Sequence, residues 1–94
     1  MAVAKARPGP VPSERERERA ARVARVMVSE LLMYHQGAVE EGLRRRDFFE
    51  RLGAEIDDVR ATYDRQIAEH VRWEQDYVQL AIDKALAERS TPGG

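Results

Sequence analysis

The run Arg22–Leu43, RVARVMVSELLMYHQGAVEEGL, is apolar on nearly every side through its first three turns. A helix that is apolar all round has to be covered all round. In a chain of 94 residues few other elements can do so. A chain of this size buries only about 60–65% of its unfolded surface, which makes an isolated monomer marginal. The expectation is therefore an all-α fold, a long helical hairpin of two or three helices that completes a helical bundle by homodimerisation. Ser29, Glu30, Tyr34 and His35 interrupt the apolar run at its middle. Covered polar groups must find partners, so these four are read as a buried polar network.

Composition narrows the function classes. Charged residues make up 35% of the chain and apolar ones 43%, with no cysteine. Disulfides, thiolate chemistry and cysteine-type zinc sites are thereby excluded. No uncharged apolar run approaches the roughly 18 residues that would suggest a membrane span. The N-terminal MAVAKARPGPVPSERER lacks the apolar core of a secretory signal, so the protein is read as cytoplasmic. The net charge of −1 is unevenly placed: residues 1–25 hold seven bases and three acids, +4, and residues 26–94 nine bases and fourteen acids, −5. Such a dipolar chain can steer antiparallel or head-to-tail contacts between copies, or draw an anionic partner to one end.

Residues 1–12 contain Pro8, Gly9, Pro10 and Pro12. Proline removes a donor and fixes φ, so this segment reads as a disordered tail. The helical domain spans 13–89. Ser13-x-x-Glu16 is a capping box opening a first helix at about 14–44. Its ERERER start reads as solvated, with Glu14–Arg17 and Glu16–Arg19 pairs one turn apart. Gly37 and Gly42 each cost about 1 kcal/mol relative to alanine inside a helix, so they either loosen its last turns or admit another helix closely. Arg44-Arg45-Arg46 suits a helix C-terminus. Asp47-x-x-Glu50 then reads as the cap of a second helix over 47–68, with Phe48, Phe49, Leu52, Ile56, Val59, Tyr63 and Ile67 at helical spacing. A third helix covers 71–88. No proline or glycine separates it from the second, so the two are either one helix from Asp47 to Glu88 or bend near Ala68–Arg72. Residues 90–94, STPGG, stop the helix and form a second disordered tail.

Taken as a set, Ala24, Arg25, Val28, Ser29, Glu30, Leu31, Tyr34, His35, Val39, Glu41, Gly42, Arg46, Asp47, Arg51, Leu52, Glu55, Ile56, Asp57, Arg60, Tyr63, Asp76 and Tyr77 follow a pattern that reads A-R-x-x-V-S-E-[LI]-x-x-Y-[NH], V-x-E-G-x-R, R-D, R-L, E-I-D, R-x-x-Y and a late D-Y. Over about residues 20–87 the chain resembles an all-helical segment of poorly characterised proteins of acidobacterial and deltaproteobacterial type. Where that pattern often has a proline-containing break before the late Asp-Tyr, this chain has EHVRWEQ. The resemblance implies an all-helical module and brings no activity with it.

No catalytic triad, nucleotide loop or cofactor motif is present in the sequence. The reading is a non-enzymatic helical oligomerisation and protein-interaction module without a cofactor. Its partners are expected to be a second copy and, beyond that, a larger protein. Core or interface anchors are Val23, Met27, Leu31, Tyr34, Phe49, Leu52, Ile56, Val59, Tyr63, Trp73 and Tyr77. One alternative is a ferritin-like carboxylate and histidine metal site built from Glu30, Glu69, His70 and Glu74. Against it, the chain has no Glu-x-x-His, and a solvated helix face explains the last three residues. The other alternative is a nucleic-acid accessory protein using the arginines of the first helix. It is disfavoured because alternating glutamates dilute that cluster and no recognition motif accompanies it.

Overall fold

The computed structural model describes residues 10–90. Most of the two segments read as disordered tails, residues 1–9 and 91–94, lies outside the described residues. Pro12 is buried, so packing begins ahead of the capping serine. The described chain is all-helical, with six helices: α1 (Glu14–Tyr34), α2 (Gln36–Arg45), α3 (Phe48–Arg51), α4 (Gly53–Gln66), α5 (Glu69–Glu74) and α6 (Tyr77–Ser90).

The capping box forms as expected. Glu16 N–H donates to Ser13 Oγ at 3.1 Å and Ser13 N–H donates to Glu16 Oε1 at 2.8 Å. The single first helix over 14–44 does not. It bends at His35, whose backbone leaves helical geometry at φ −123° and ψ 39°. His35 N–H still reaches the Leu31 carbonyl, and the His35 carbonyl still accepts from Val39 N–H. The break therefore costs few hydrogen bonds. It turns Val39 and Gly42 of α2 onto Phe48 of α3, and all three are buried. No proline or cap residue marks the position, which is why periodicity alone ran through it.

Gly42 permits this approach: a Cβ there would sit 2.9 Å from Phe48 Cα. The chain then reverses through Arg46, in the left-handed region at φ 61°. Arg46 N–H and Asp47 N–H both donate to the Gly42 carbonyl, satisfying a helix-end acceptor. Asp47 does not cap the next helix with its side chain, contrary to the reading of Asp47-x-x-Glu50. It pairs instead with Arg51, at 2.8 and 3.0 Å.

The expected second helix over 47–68 is two pieces, α3 and α4, jointed at Leu52. It stops at Gln66 because Ile67 and Ala68 are extended. Arginines take up carbonyls at that end: Arg19 of α1 donates to Gln66 O at 3.0 Å and Arg72 of α5 to Ile67 O at 2.9 Å. The expected third helix over 71–88 is likewise α5 and α6, separated at Gln75 and Asp76. Asp76 caps α6 by accepting from Gln79 N–H at 3.0 Å. Continuity from Asp47 to Glu88 is thus excluded, and the bend lies at Ile67–Ala68 with a second at Gln75–Asp76.

Helix α1 is the shared element. It packs most extensively on α6, then on α4, and also touches α2 and α5. Ala20, Ala24, Val28, Leu31 and Leu32 form its buried face. The core continues through Val39, Phe48, Leu52, Ile56, Tyr63, Ile67, Val71, Val78 and Ile82. Helix α4 runs antiparallel to α1, with Gln66 beside Arg19 and Glu55 beside Tyr34 and His35. Helix α6 runs parallel to α1, with Tyr77 level with Ala21 and Glu88 level with Leu32 and Met33.

The two α2 glycines should respond oppositely to alanine. Gly37 has nothing within 4 Å of an added Cβ, so Gly37→Ala should raise unfolding stability by about 0.5–1 kcal/mol. Gly42→Ala pushes a methyl into the Phe48 backbone and should lower stability by about 1–3 kcal/mol. Denaturant melts of the two variants check both signs.

Candidate functional site

Polar contacts gather at one end of the bundle, where the ERERER turns of α1 meet α5. These turns are not simply solvated. Arg17 forms a two-pronged pair with Glu74, Nε to Oε1 at 2.9 Å and Nη2 to Oε2 at 2.8 Å. His70 Nε2 lies 3.1 Å from Glu16 Oε2. Glu14–Arg17 is present but loose at 3.7 Å, and the expected Glu16–Arg19 pair is replaced by these contacts between distant helices. The Ser13 N–H, followed by His70, holds the Glu16 carboxyl below its ordinary value. On the neighbouring seam, Arg60 of α4 bonds both Asp76 oxygens at 3.1 Å and Gln79 at 3.2 Å. Burial pushes the Asp76 carboxyl up, but the Gln79 N–H and Arg60 outweigh it, so the net shift is downward.

These pairings dispose of the metal arrangement within one chain. Glu74 is taken by Arg17 and His70 by Glu16. Glu30 stands thirteen residues beyond Arg17 on α1, about 20 Å along the axis. No group of three or more metal-ligating side chains occurs among the described residues. Arg17 and Arg19 are likewise turned to internal acceptors, which thins the basic cluster read as a nucleic-acid contact.

The polar network expected on α1 is not buried in the chain. Ser29, Glu30 and Tyr34 are exposed and His35 half-buried, and no polar residue is buried among the described residues. Glu30, Tyr34 and His35 do share a groove with Glu55 and Asp58 of α4, floored by Met27, Leu31 and Val59. Among the anchors, Leu31, Leu52, Ile56 and Tyr63 are buried, while Val23, Met27, Val59 and Tyr77 pack half-buried against them. Tyr34 (74% exposed), Trp73 (59%) and Phe49 (48%) face outward instead. Phe49 retains an edge-to-face contact with Phe48, ring centroids 5.0 Å apart.

The remaining feature lies between α1 and α6, where a groove of about 410 Å³ runs along the parallel pair. Buried Val28 and half-buried Ala21, Tyr77, Ala81 and Ala85 line it, with exposed Arg25, Ser29, Leu80, Lys84 and Glu88. Two further depressions adjoin it, and Ser29 lines all three. Val26 (51% exposed), Met33 (55%) and Leu80 (46%) stand along the strip. Sequence reasoning missed Ala81, Ala85 and Leu80 as a surface. The available signal was the run YVQLAIDKALA, apolar on more faces than one neighbour can cover. Arg25, Glu30, Lys84 and Glu88 make no ion pair among the described residues.

No protein-family model matches the chain, and neither the curated proteins nor the solved structures contain a match to it.

Two expectations follow from the polar contacts. Tyr63 is 3% exposed, its hydroxyl has no hydrogen-bond partner among the described residues, and burial raises its pKa to about 12. Tyr63→Phe removes an unsatisfied buried hydroxyl, so stability in a denaturant melt should be unchanged or rise by about 1 kcal/mol. Glu16 and Asp76 both have depressed folded-state values. Their contribution is present above the unfolded values, 4.5 and 3.8, and is lost as pH falls through the lower folded ones. Thermal melts from pH 7 to 2 should show stability declining below about pH 4.5, with a shallower decline in Glu16→Gln.

Proposed function

We propose that this protein is a non-enzymatic helical interaction module that works by accepting another helix along the α1–α6 groove. The observation that carries this reading is the strip itself. Two parallel helices leave a channel lined by Val28, Ala21, Ala81, Ala85 and Tyr77, with Leu80 exposed at it and Val26 and Met33 exposed at the adjoining depressions. Alanines at Ala21, Ala81 and Ala85 leave room for a third helix, and the exposed apolar side chains beside them supply contact. The buried face of α1, Ala20, Ala24, Val28, Leu31 and Leu32, is packed chiefly against α6 and α4. The parallel pair also presents two aligned helix dipoles, which an antiparallel third helix would offset.

A synthetic amphipathic helical peptide with a Leu/Ala stripe tests this reading. Titrated into the isotope-labelled full chain, it should shift the amide resonances of Ser29, Ala81 and Ala85 and saturate in the micromolar range. Leu80→Glu places a charge on an exposed position, so circular dichroism should stay native while the peptide shifts disappear. Shifts scattered over other faces, or no shifts, would refute the groove as the working surface.

A further inference from the structure

We infer that α5 is a hinged strap: residues 68–75 open and reclose as a unit while α1, α4 and α6 stay packed, and the Arg17–Glu74 fork is the catch that holds them shut. The segment lies between two anchored points. On one side the Gln66 carbonyl accepts from Arg19 of α1 at 3.0 Å, and Ile67 N–H still reaches the Tyr63 carbonyl at 2.9 Å. On the other side Arg60 of α4 bonds both oxygens of Asp76, whose carboxylate caps α6. Just inside each anchor the backbone is extended, at Ala68 (φ −61°, ψ 148°) and at Gln75 (φ −157°, ψ 142°). These joints give the strap two places to bend without pulling on α4 or α6.

What holds the strap down is mostly polar. Helix α5 has six residues, its N-cap Ala68 makes no side-chain cap bond, and Val71 is its one buried residue. A helix that short does not persist without tertiary contacts, so once lifted it loses its backbone bonds. One buried valine offsets little of the entropy lost on ordering the segment. His70 and Glu74 lie one turn apart and meet Glu16 and Arg17, which are neighbours on α1. Arg17 and Glu74 join through two parallel charge-assisted bonds. Around them stand Glu14 and Glu16 of α1, Asp64 of α4, which is 3.9 Å from Arg72, and Tyr77 of α6. By contrast α1 packs on α4 and α6 directly, in a core that includes Val28, Leu31, Ile56, Val78 and Ile82. A segment with few buried apolar contacts opens locally at a lower free energy than the whole.

Native-state hydrogen exchange on the full chain, followed amide by amide by NMR at neutral pH, tests the strap. The Val71 and Arg72 N–H groups both bond the Ala68 carbonyl, inside it. In the wild type these amides should exchange well ahead of the α1, α4 and α6 core amides. Subdenaturing urea should barely accelerate them, because little surface is exposed, and should accelerate the core amides steeply. Glu74→Arg sets two arginines against each other and should speed α5 exchange at least about tenfold, with native circular dichroism and unchanged rates in α4 and α6. Adding Arg17→Glu restores an acid–base pair of reversed polarity and should return most of that protection. Wild-type α5 amides that exchange together with the core amides show one cooperative unit and overturn the inference, whether or not the variants fold. Glu74→Arg that leaves α5 protection unchanged, or that speeds every helix alike, also overturns it. So does a double variant no better protected than the single one.

Discussion

Burial of the alanine-led face of α1 is the constraint on which the rest of the structure depends. Ala20 and Ala24 are completely buried, and Val28, Leu31 and Leu32 continue the face toward the C-terminal end. All five belong to one core cluster with residues of α2 to α6. Apolar burial contributes about 1.5–3 kcal/mol for each large side chain taken from water, whereas partly exposed ion pairs contribute about 0–1 kcal/mol. The apolar face therefore holds the bundle together, and charged side chains meet the backbone at its later breaks, at Gln66–Ile67 and Gln75–Asp76.

That division is visible at the end of α4. Nothing in the helical pattern forces a stop at Gln66. The stop occurs where Arg19 and Arg72 can take the Gln66 and Ile67 carbonyls. Helix ends leave carbonyls without intrahelical partners, and a positive donor is a strong substitute. Arg17 and Glu16 then fix α5 through Glu74 and His70, and Asp76 restarts the chain as α6. The arginines and glutamates of the first turns thus determine the path of a segment more than fifty residues away in sequence.

The same arrangement concentrates paired charge on some faces, and along the α1–α6 strip it leaves exposed apolar side chains and charges with no ionic partner among the described residues. In the isolated chain water solvates Arg25, Lys84 and Glu88, so their exposure costs little. Exposed Val26, Met33 and Leu80 are different, because clustered apolar surface is what interfaces use.

The all-helical class, the Ser13 capping box and the core positions Leu31, Leu52, Ile56 and Tyr63 were determined by the sequence itself. Spacing of three and four, a serine three residues before a glutamate and the absence of period-two alternation act locally. The surplus apolarity of the Arg22–Leu43 run was equally legible, since one helix cannot hide three apolar faces behind two neighbours. Which of its residues face outward was not. Tyr34, Trp73 and Phe49 carry large apolar rings, yet they stand on the surface, because burial is set by where α4 and α6 lie around α1. The breaks at His35, Leu52, Ile67 and Gln75 were also decided by the tertiary structure. They carry no proline or cap that marks them all, and their unsatisfied backbone groups are answered in part by arginines remote in sequence. Local pattern reports which positions prefer the core, and only the packed arrangement assigns each one a neighbour.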